Sequence, residues 1–269
     1  MSTSNLTNYG RLFPDNSIHF FHSSYSLHWL SKTPDALQDA AIEPLNKGNI
    51  YLTRASPPAV QKTYFEQFQQ DFSLFLRSRS SELLPGGAMV LTLIGRDEQN
   101  ELMNAWVVIG MALNDMAAHS TLLNVFFVNY LTKQNRVCMC YFIWYMQKLV
   151  EQSKLDSFNI PSYCPTSDEI RKVIEEEGSF DVQRLETIRT DWVKNVDVID
   201  DEYTVVDEET RAEGVAKFIR AVAEPILKSE FGEEIMDELF IRFKNKIIKL
   251  YGVEKLEVAN LVMHITKRT

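Results

Sequence analysis

The chain has 269 residues, of which 45% are hydrophobic and 24% charged, so it is long enough to bury a core in one large domain or two smaller ones. Its formal charge of -9 argues against nucleic acid and membrane surfaces as partners, because both require clustered Lys and Arg, and favours small molecules. Three cysteines form neither an even disulfide set nor a CxxC pair, and the first residues lack an apolar signal segment, so we expect a reducing, cytoplasmic location.

The first predicted element is a short strand in "NSIHFF". Ile18 and Phe20 alternate on one face, between a "PDN" turn signal and a run of serines, so we predict that this strand is buried. Just after it, "HFFHSSYSLHWLS" places Tyr25, His28 and Trp29 within five positions. Such residues after a strand belong to the core more often than to a ligand site, so both interpretations stay open at this point.

The middle of the chain alternates helices with an apolar strand. A helix is predicted over residues 63–84, and "LLPGGAMVLTLIG" then predicts a Pro-Gly-Gly turn and a buried strand over 89–94. A second helix is predicted over 104–119. This order of helix, turn and buried strand indicates the α/β fold class. The apolar stripe of the first helix consists of Phe65, Phe68, Phe72, Phe75 and Leu76.

Residues 120–148 do not fit this alternation. They are crowded with bulky apolar and aromatic side chains and show a clean period of neither two nor 3.6. A membrane hairpin is the alternative interpretation, but the apolar runs are only about 10–14 residues long, whereas a spanning helix needs about 20. We therefore interpret this segment as an atypical hydrophobic insert.

The second half of the chain is predicted to be mainly helical, with a return to the sheet at its end. Thr166 and Glu169 form a capping box that starts a helix through Glu177, and Gly178 is placed to end it. The remaining predicted elements are a strand in "FDVQRLETIRTDW", helices over 210–229 and 233–250, and a final strand in "EVANLVMHIT".

Four segments resemble the plant SABATH family of S-adenosylmethionine-dependent methyltransferases: "YGRLFPDNSIHFFHSSYSLHWLSKTP", "NKGNIY", "LDSFNIPSYCPTSDEI" and "FIRAVAEPILKSEFGEEIMDELF". They occur in the family's order. The resemblance implies a class I, Rossmann-like methyltransferase sheet with a helical substrate-binding cap. The domains expected on this basis are part of the α/β core over 1–119, the atypical insert over 120–148, a mainly helical cap with a returning strand over 149–250, and the last strand of the core sheet over 251–269.

The resemblance assigns the substrate pocket to Tyr25, His28, Trp29 and Trp106. The first three follow a strand of the sheet, and ligands of α/β sheets bind beyond the carboxyl ends of strands. Trp106, in "NAWVVIG", matches an aromatic residue that closes on the substrate. Aromatic faces suit a flat acid, and the N–H groups of Trp29 and His28 can donate to its carboxylate.

The resemblance also implies S-adenosyl-L-methionine as cofactor, with Thr7, Asn8 and Ser24 as cofactor contacts. The family's acidic glycine motif, which precedes this region in other members, is not found in the chain. We therefore expect an N-terminally truncated methyltransferase, with an incomplete sheet and weak cofactor binding. A related hypothesis is that the insert is a retained intron, and that the normal transcript joins His119 to Leu149.

A magnesium site is a further implication of the resemblance. Asn46 in "NKGN" and Asp156, Phe158 and Asn159 in "DSFN" match positions assigned to a divalent ion in the family. Carboxylate, amide and backbone carbonyl oxygens suit Mg²⁺. The alternative is a turn in which Asp156 and Asn159 satisfy backbone groups, and the sequence favours neither interpretation.

The reaction implied is attack by a carboxylate oxygen on the methyl group of a sulfonium, which yields a methyl ester. A carboxylate with a pKa near 4 is already ionised at pH 7, so no general base is required and we nominate no catalytic residue. Holding the two reactants in line is the protein's task, and this proximity effect can contribute about 7–11 kcal/mol.

Two alternative functions stay open. The first is N-methylation of xanthine alkaloids, because "SLHW" occurs in both branches of the family. The second is a catalytically silent isoform that acts at most as a dimer partner, since the resemblance also implies homodimers. The acid itself is not specified: salicylate, benzoate, jasmonate, indole-acetate and loganate types share the pocket motifs. Ala105, Ile109 and Ala223 indicate room for more than a benzene ring.

Overall fold

The structure is a computed structural model that describes residues 9–38, 43–97, 104–130, 150–191, 207–251, 253 and 256–269, with the side chains of the third range described to residue 118. The helices are α1 (Pro58–Glu82), α2 (Ala105–Tyr130), α3 (Gln152–Ser157), α4 (Ser167–Glu177), α5 (Glu208–Phe231) and α6 (Met236–Leu250). The strands are β1 (Ile18–Ser24), β2 (Leu83–Gly95), β3 (Phe180–Asp191) and β4 (Glu257–Lys267).

The four strands form one mixed sheet in the order β1-β2-β4-β3. Strand β1 runs parallel to β2, and β4 runs antiparallel to both of its neighbours. Helix α1 is the crossover that parallel neighbours such as β1 and β2 require. The predicted α/β class is confirmed, and β1 and β3 occupy the two edges of this sheet.

The prediction that β1 is buried is wrong. Phe20 is 56% exposed, whereas Phe21 is half-buried and packs edge-on against Phe75 with ring centroids 5.8 Å apart. Two adjacent phenylalanines leave the inward face undefined by period two, because each face of the strand carries one of them. Pairing with β2 decides the matter and turns Phe21 toward the core.

The predicted Pro-Gly-Gly turn is also wrong, because these residues lie within β2. Ile18 pairs with Leu83, but Phe20 pairs with Ala88, so the intervening residues of β2 form an irregular bulge. Gly86 has a φ of 73°, which glycine adopts without strain, and the strand therefore continues where a turn was expected.

Helix α1 packs its aromatic stripe into the core. Phe68, Phe72, Phe75 and Leu76 are at most 1% exposed, while Phe65 is partly buried at the edge of the cluster. Stacking links the first three along one face, with centroid distances of 5.5 and 6.0 Å between successive rings. The helix begins at Pro58 rather than near residue 63, since proline is favoured in the first turn.

The predicted capping box of α4 is confirmed in detail. The Thr166 side chain accepts a hydrogen bond from the Glu169 N–H, and the Glu169 carboxylate accepts one from the Thr166 N–H. Gly178 ends the helix with a φ of 85°. The strand and two helices that follow, β3, α5 and α6, and the final strand β4 also match their predicted positions.

Helix α2 continues past its predicted end at residue 119 and reaches Tyr130. "STLLNVFFVNY" contains neither Gly nor Pro, so nothing local stops the helix. The rest of the predicted insert, 131–148, lies outside the described residues, and the retained-intron hypothesis stays a prediction. None of the helices within the described ranges combines the length and apolar composition needed to cross a bilayer.

Candidate active site

A cavity of about 530 Å³ opens beyond the carboxyl ends of β1 and β2, between the start of α2 and the middle of α5. We call it the aromatic pocket. It brings together all four residues predicted to contact substrate. Its lining consists of Tyr25, His28, Trp29, Ile94, Asn104, Ala105, Trp106, Ser162, Cys164, Thr190, Val215, Phe218, Ile219, Val222, Val258 and Asn260.

Tyr25 stands at the mouth of the pocket with about half of its surface exposed. Its φ of 54° is left-handed and uncommon for a tyrosine, and its N–H donates to the Thr92 carbonyl at 2.8 Å. The hydroxyl donates to the Asn260 Oδ1 at 3.0 Å. These two bonds tie the end of β1 to β2 and β4, and they hold the phenol over the opening.

His28 is a buried, neutral hydrogen-bond donor. Its Nδ1 accepts the Ile94 N–H at 3.3 Å, so the proton of the neutral ring resides on Nε2. Burial lowers the pKa of His28 to about 4, because the charged imidazolium loses its hydration. At neutral pH the ring thus offers one N–H donor without adding a charge.

Replacing His28 with Asn is expected to reduce the loss of stability in mild acid. The pKa of His28 in the folded protein lies below the usual 6.5, so the stabilisation by the neutral ring is complete above pH 6.5 and is lost as the pH falls toward 4. The resulting decrease in the free energy of unfolding is about 3 kcal/mol. Asn keeps an acceptor for the Ile94 N–H and cannot titrate. Urea unfolding at pH 7.5 and 4.5 measures the effect, with the exposed His22→Asn as matched control. A variant whose stability falls as steeply as that of the wild type contradicts the prediction.

Two indoles form the aromatic wall of the pocket. Trp29 and Trp106 meet edge-to-face, with ring centroids 5.7 Å apart, and the centroid of the His28 ring also lies 5.7 Å from that of Trp29. The Tyr9 hydroxyl donates to the Trp29 carbonyl, and an antiparallel bridge pairs Trp29 with Ser162. The backbone that carries the indole is therefore held from two directions.

The segment 162–164, in "NIPSYC", contributes residues that were not predicted as contacts. Ser162 and Cys164 line the aromatic pocket, and burial raises the pKa of the Cys164 thiol to about 11, so it stays protonated. Between them, the Tyr163 hydroxyl points away and donates to Glu169 at 2.8 Å, and Arg96 pairs with the same carboxylate at 2.7 Å. The capping box of α4 thereby anchors this side of the pocket.

Strand β4 contributes another residue that was not predicted, Asn260. With His264 it is one of two polar residues in the otherwise apolar run "VANLVMHI", and such an interruption is the signal that could have identified it. Its Nδ2 donates to the Ile188 carbonyl at 3.3 Å and to the Thr190 hydroxyl at 3.2 Å, which leaves Oδ1 for Tyr25. Of the small residues expected near the pocket, Ala105 lines it, whereas Ile109 and Ala223 are buried and do not.

The predicted cofactor contacts are only partly described. Thr7 and Asn8 lie outside the described residues. Ser24 is exposed at the carboxyl end of β1, directly before Tyr25, so its hydroxyl is accessible to a ligand.

Asn46, Asp156 and Asn159 meet in a buried cluster, as the predicted metal site requires, but hydrogen bonds between protein groups engage their oxygens. The Asn46 Nδ2 donates to Asn159 Oδ1 at 2.9 Å, and Asp156 Oδ1 accepts the Gly48 N–H at 3.0 Å. An N–H group thus lies where an ion would need an oxygen. The arrangement fits the turn alternative better than Mg²⁺, because these polar groups already bond one another and the backbone.

Comparison with known proteins identifies the family. A family model described as SAM dependent carboxyl methyltransferase matches residues 6–125 and 141–268, and the unmatched stretch lies within the predicted insert. Among curated relatives, a probable caffeine synthase of Coffea canephora is 39% identical over 97% of this chain and 62% of its own length. A benzoic acid/salicylic acid carboxyl methyltransferase of Petunia hybrida is 37% identical over 96% of this chain and 61% of its own length. A probable jasmonic acid carboxyl methyltransferase of Theobroma cacao is 37% identical over 97% of this chain and 63% of its own length.

A solved structure supports the same conclusion. Loganic acid methyltransferase, determined with SAH, superposes with a TM-score of 0.74 at 28% identity and covers 97% of this chain and 65% of its own. The chain spans about three fifths of the length of the curated relatives it matches. The resemblance to SABATH methyltransferases is confirmed, and the chain belongs to the family of SAM-dependent carboxyl methyltransferases.

Proposed function

We propose that this protein transfers a methyl group from S-adenosyl-L-methionine to the carboxylate of a small acid held in the aromatic pocket. The observation that carries the proposal is the convergence of Tyr25, His28, Trp29 and Trp106 on one cavity. Relatives that methylate benzoic, salicylic or jasmonic acid, as their names state, support the same choice.

Neutral donors are proposed to bind the acid. The described lining contains no Asp, Glu, Lys or Arg, so a carboxylate would meet the His28 and Trp29 N–H groups and apolar side chains. Hydrogen bonds to an ionised acceptor stay strong in such an environment, because little water competes for them. The acid is thereby oriented while one of its oxygens remains free to react.

The cofactor supplies an electrophilic methyl group on a sulfonium. This chain's residues need only orient the acid and exclude water, since the carboxylate is already ionised near pH 7. Ser24 is proposed to contact the cofactor, because it is exposed at the strand end next to Tyr25. His28 stays neutral, so we assign it hydrogen-bond donation and no proton transfer.

Helix α5 is proposed to act as the substrate-binding cap. It contributes Val215, Phe218, Ile219 and Val222 to the pocket. Phe218 is 66% exposed, so the cap presents an apolar edge at the opening. These side chains would select the size of the acid, since each change in volume contributes about 1–3 kcal/mol.

N-methylation of a xanthine is the second candidate, and the 39% identity to a probable caffeine synthase favours it. A pocket without charged lining suits a neutral purine as well as an acid. The third candidate is a silent isoform that pairs with an active partner. Homodimerisation stays a prediction that light scattering tests.

A substrate panel tests the proposal. The purified chain is incubated with labelled S-adenosylmethionine and with benzoate, salicylate, jasmonate, indole-acetate, loganate or 7-methylxanthine, and methylated products are identified by mass spectrometry. Methyl esters are the expected products. Methylation of the xanthine alone favours the second candidate, and absence of both product and S-adenosylhomocysteine binding favours the silent isoform.

Adding Mg²⁺ or EDTA is expected to leave the melting temperature unchanged, because one side-chain oxygen of each of Asn46, Asp156 and Asn159 already accepts a hydrogen bond. An ion that binds the folded chain and is present at a concentration of 100 times its dissociation constant would stabilise the fold by about 2.7 kcal/mol, which is easily detected. A thermal melt with each additive measures this. A rise of several degrees with Mg²⁺ that Asp156→Asn abolishes would restore the predicted metal site.

A further inference from the structure

Ser162 carries a buried hydroxyl for which the described residues provide no hydrogen-bond partner. The residue is 1% exposed and lines the aromatic pocket, and its backbone N–H is satisfied by the Ile160 carbonyl at 2.9 Å. Leaving a buried hydroxyl unbonded is unfavourable, because the group has lost its hydration without gaining a partner. The free protein therefore bears a cost at this position that a suitable ligand could remove.

Two other polar groups of the pocket, the Tyr25 hydroxyl and the Asn104 Oδ1, differ from Ser162 in having protein partners. The Tyr25 hydroxyl bonds Asn260, and the Asn104 Oδ1 accepts two backbone N–H groups at the start of α2. The hydroxyl of Ser162 is thus free to bond a molecule in the cavity.

The position of Ser162 indicates which part of the ligand it meets. Ser162 and Trp29 form an antiparallel bridge, and directly paired residues in such a bridge have Cβ atoms about 4.5–5.5 Å apart on the same face. The adjacent Tyr163 N–H donates to the His28 carbonyl at 2.8 Å. Ser162 therefore lies at the end of the pocket where the N–H donors are, rather than at the apolar end lined by α5.

We propose that the Ser162 hydroxyl is a third hydrogen-bond donor to the carboxylate of the acceptor acid, beside the Trp29 indole and the His28 imidazole. The proposal rests on the proposed function, because it needs an acid in the aromatic pocket. Three neutral donors around one carboxylate would replace the water that the ion loses on entry. Ser162 would then favour acids over neutral purines of similar size.

Ser162→Ala tests the proposal through two readouts of opposite sign. Isothermal titration with benzoate and with salicylate, both in the presence of S-adenosylhomocysteine, is expected to show binding that is about ten- to hundredfold weaker for both acids. The melting temperature is expected to stay the same or rise, because the substitution removes an unbonded polar group. Ser162→Cys has a similar shape but donates weakly, so it should weaken binding as Ala does. Ser26→Ala is the matched control, because the Ser26 hydroxyl already bonds the Ser23 hydroxyl at 2.6 Å.

Each other outcome overturns a defined statement. Unchanged binding by Ser162→Ala overturns the role of Ser162 and leaves the proposed function intact. Weaker binding of salicylate alone assigns the contact to its 2-hydroxyl group and overturns the carboxylate assignment. Weaker binding together with a lower melting temperature, or full recovery by Cys, indicates a packing role instead. A wild-type chain that binds none of the acids in the substrate panel overturns the proposed function, and this inference with it.

Discussion

Replacing Glu82 with Ala is expected to lower the free energy of unfolding by about 3–5 kcal/mol, the usual cost of leaving one member of a buried ion pair alone. Arg79 and Glu82 are both fully buried, and the Arg79 Nε lies 2.7 Å from the Glu82 Oε2. The other carboxylate oxygen accepts the N–H groups of Leu12 and Phe13 at 2.5 and 3.0 Å. The substitution therefore strands a buried guanidinium and frees the segment that leads into β1.

The surroundings of Arg79 leave no route to solvent for its charge. Its guanidinium lies 5.0 Å from the centroid of Phe21 and 5.4 Å from that of Phe75, and it donates to the Gly10 carbonyl at 2.7 Å. Burial alone would raise the pKa of Glu82, but the hydrogen bonds from Arg79 and the backbone lower it below the usual value. The ion pair accordingly persists in mild acid, and its stabilisation is lost only as the pH falls through that lowered pKa.

Urea unfolding at pH 7 measures the effect, and Glu66→Ala is the matched control on the same helix. Glu66 pairs with Lys62 at 3.7 Å on the exposed face of α1, where an ion pair contributes about 0–1 kcal/mol. Replacing both members of the buried pair, as Arg79→Met with Glu82→Leu, is expected to restore much of the stability. A Glu82→Ala variant no less stable than Glu66→Ala would show that the pair is not buried in solution.

Replacing Trp29 with Ala is expected to weaken binding of the acid at least about a hundredfold, through loss of a hydrogen bond to a charged group and of ring contact. The indole contacts the His28 and Trp106 rings, and the Trp29 backbone carbonyl accepts the Tyr9 hydroxyl, so the position of the donor is fixed by its neighbours. This result also rests on the proposed function. Titration of benzoate into the chain, with S-adenosylhomocysteine present, measures it.

Trp29→Phe separates the two contributions, because it keeps a ring and removes the N–H donor. We expect it to recover only the ring contact, about 0.5–1.5 kcal/mol, or roughly three- to tenfold in affinity. Trp106→Phe is the matched control and should bind within a few fold of the wild type, since Trp106 is proposed to supply an aromatic surface only. If Trp29→Phe binds like the wild type, the indole N–H is not a donor to the acid.

Local patterns in the sequence determined most of the secondary structure and three residues of the pocket. The capping box at Thr166 and the aromatic stripe of α1 depend on neighbours three or four residues away, and such contacts form in the helix itself. Tyr25, His28 and Trp29 could be singled out because they are adjacent in the chain and follow a strand. Family resemblance supplied the rest of that assignment, including Trp106.

The tertiary structure alone decided which faces are buried and which distant residues meet. Pairing with β2 buried Phe21 rather than Phe20 and turned the Pro-Gly-Gly sequence into a bulge, because strand register depends on the partner strand. Ser162 and Asn260 reach the aromatic pocket from segments more than a hundred residues after Tyr25, and their neighbours come from packing. Periodicity and capping act within a few residues, whereas register and cavity lining follow from long-range contacts, and this is the physical reason that the chain's helices were predictable and its pocket only partly so.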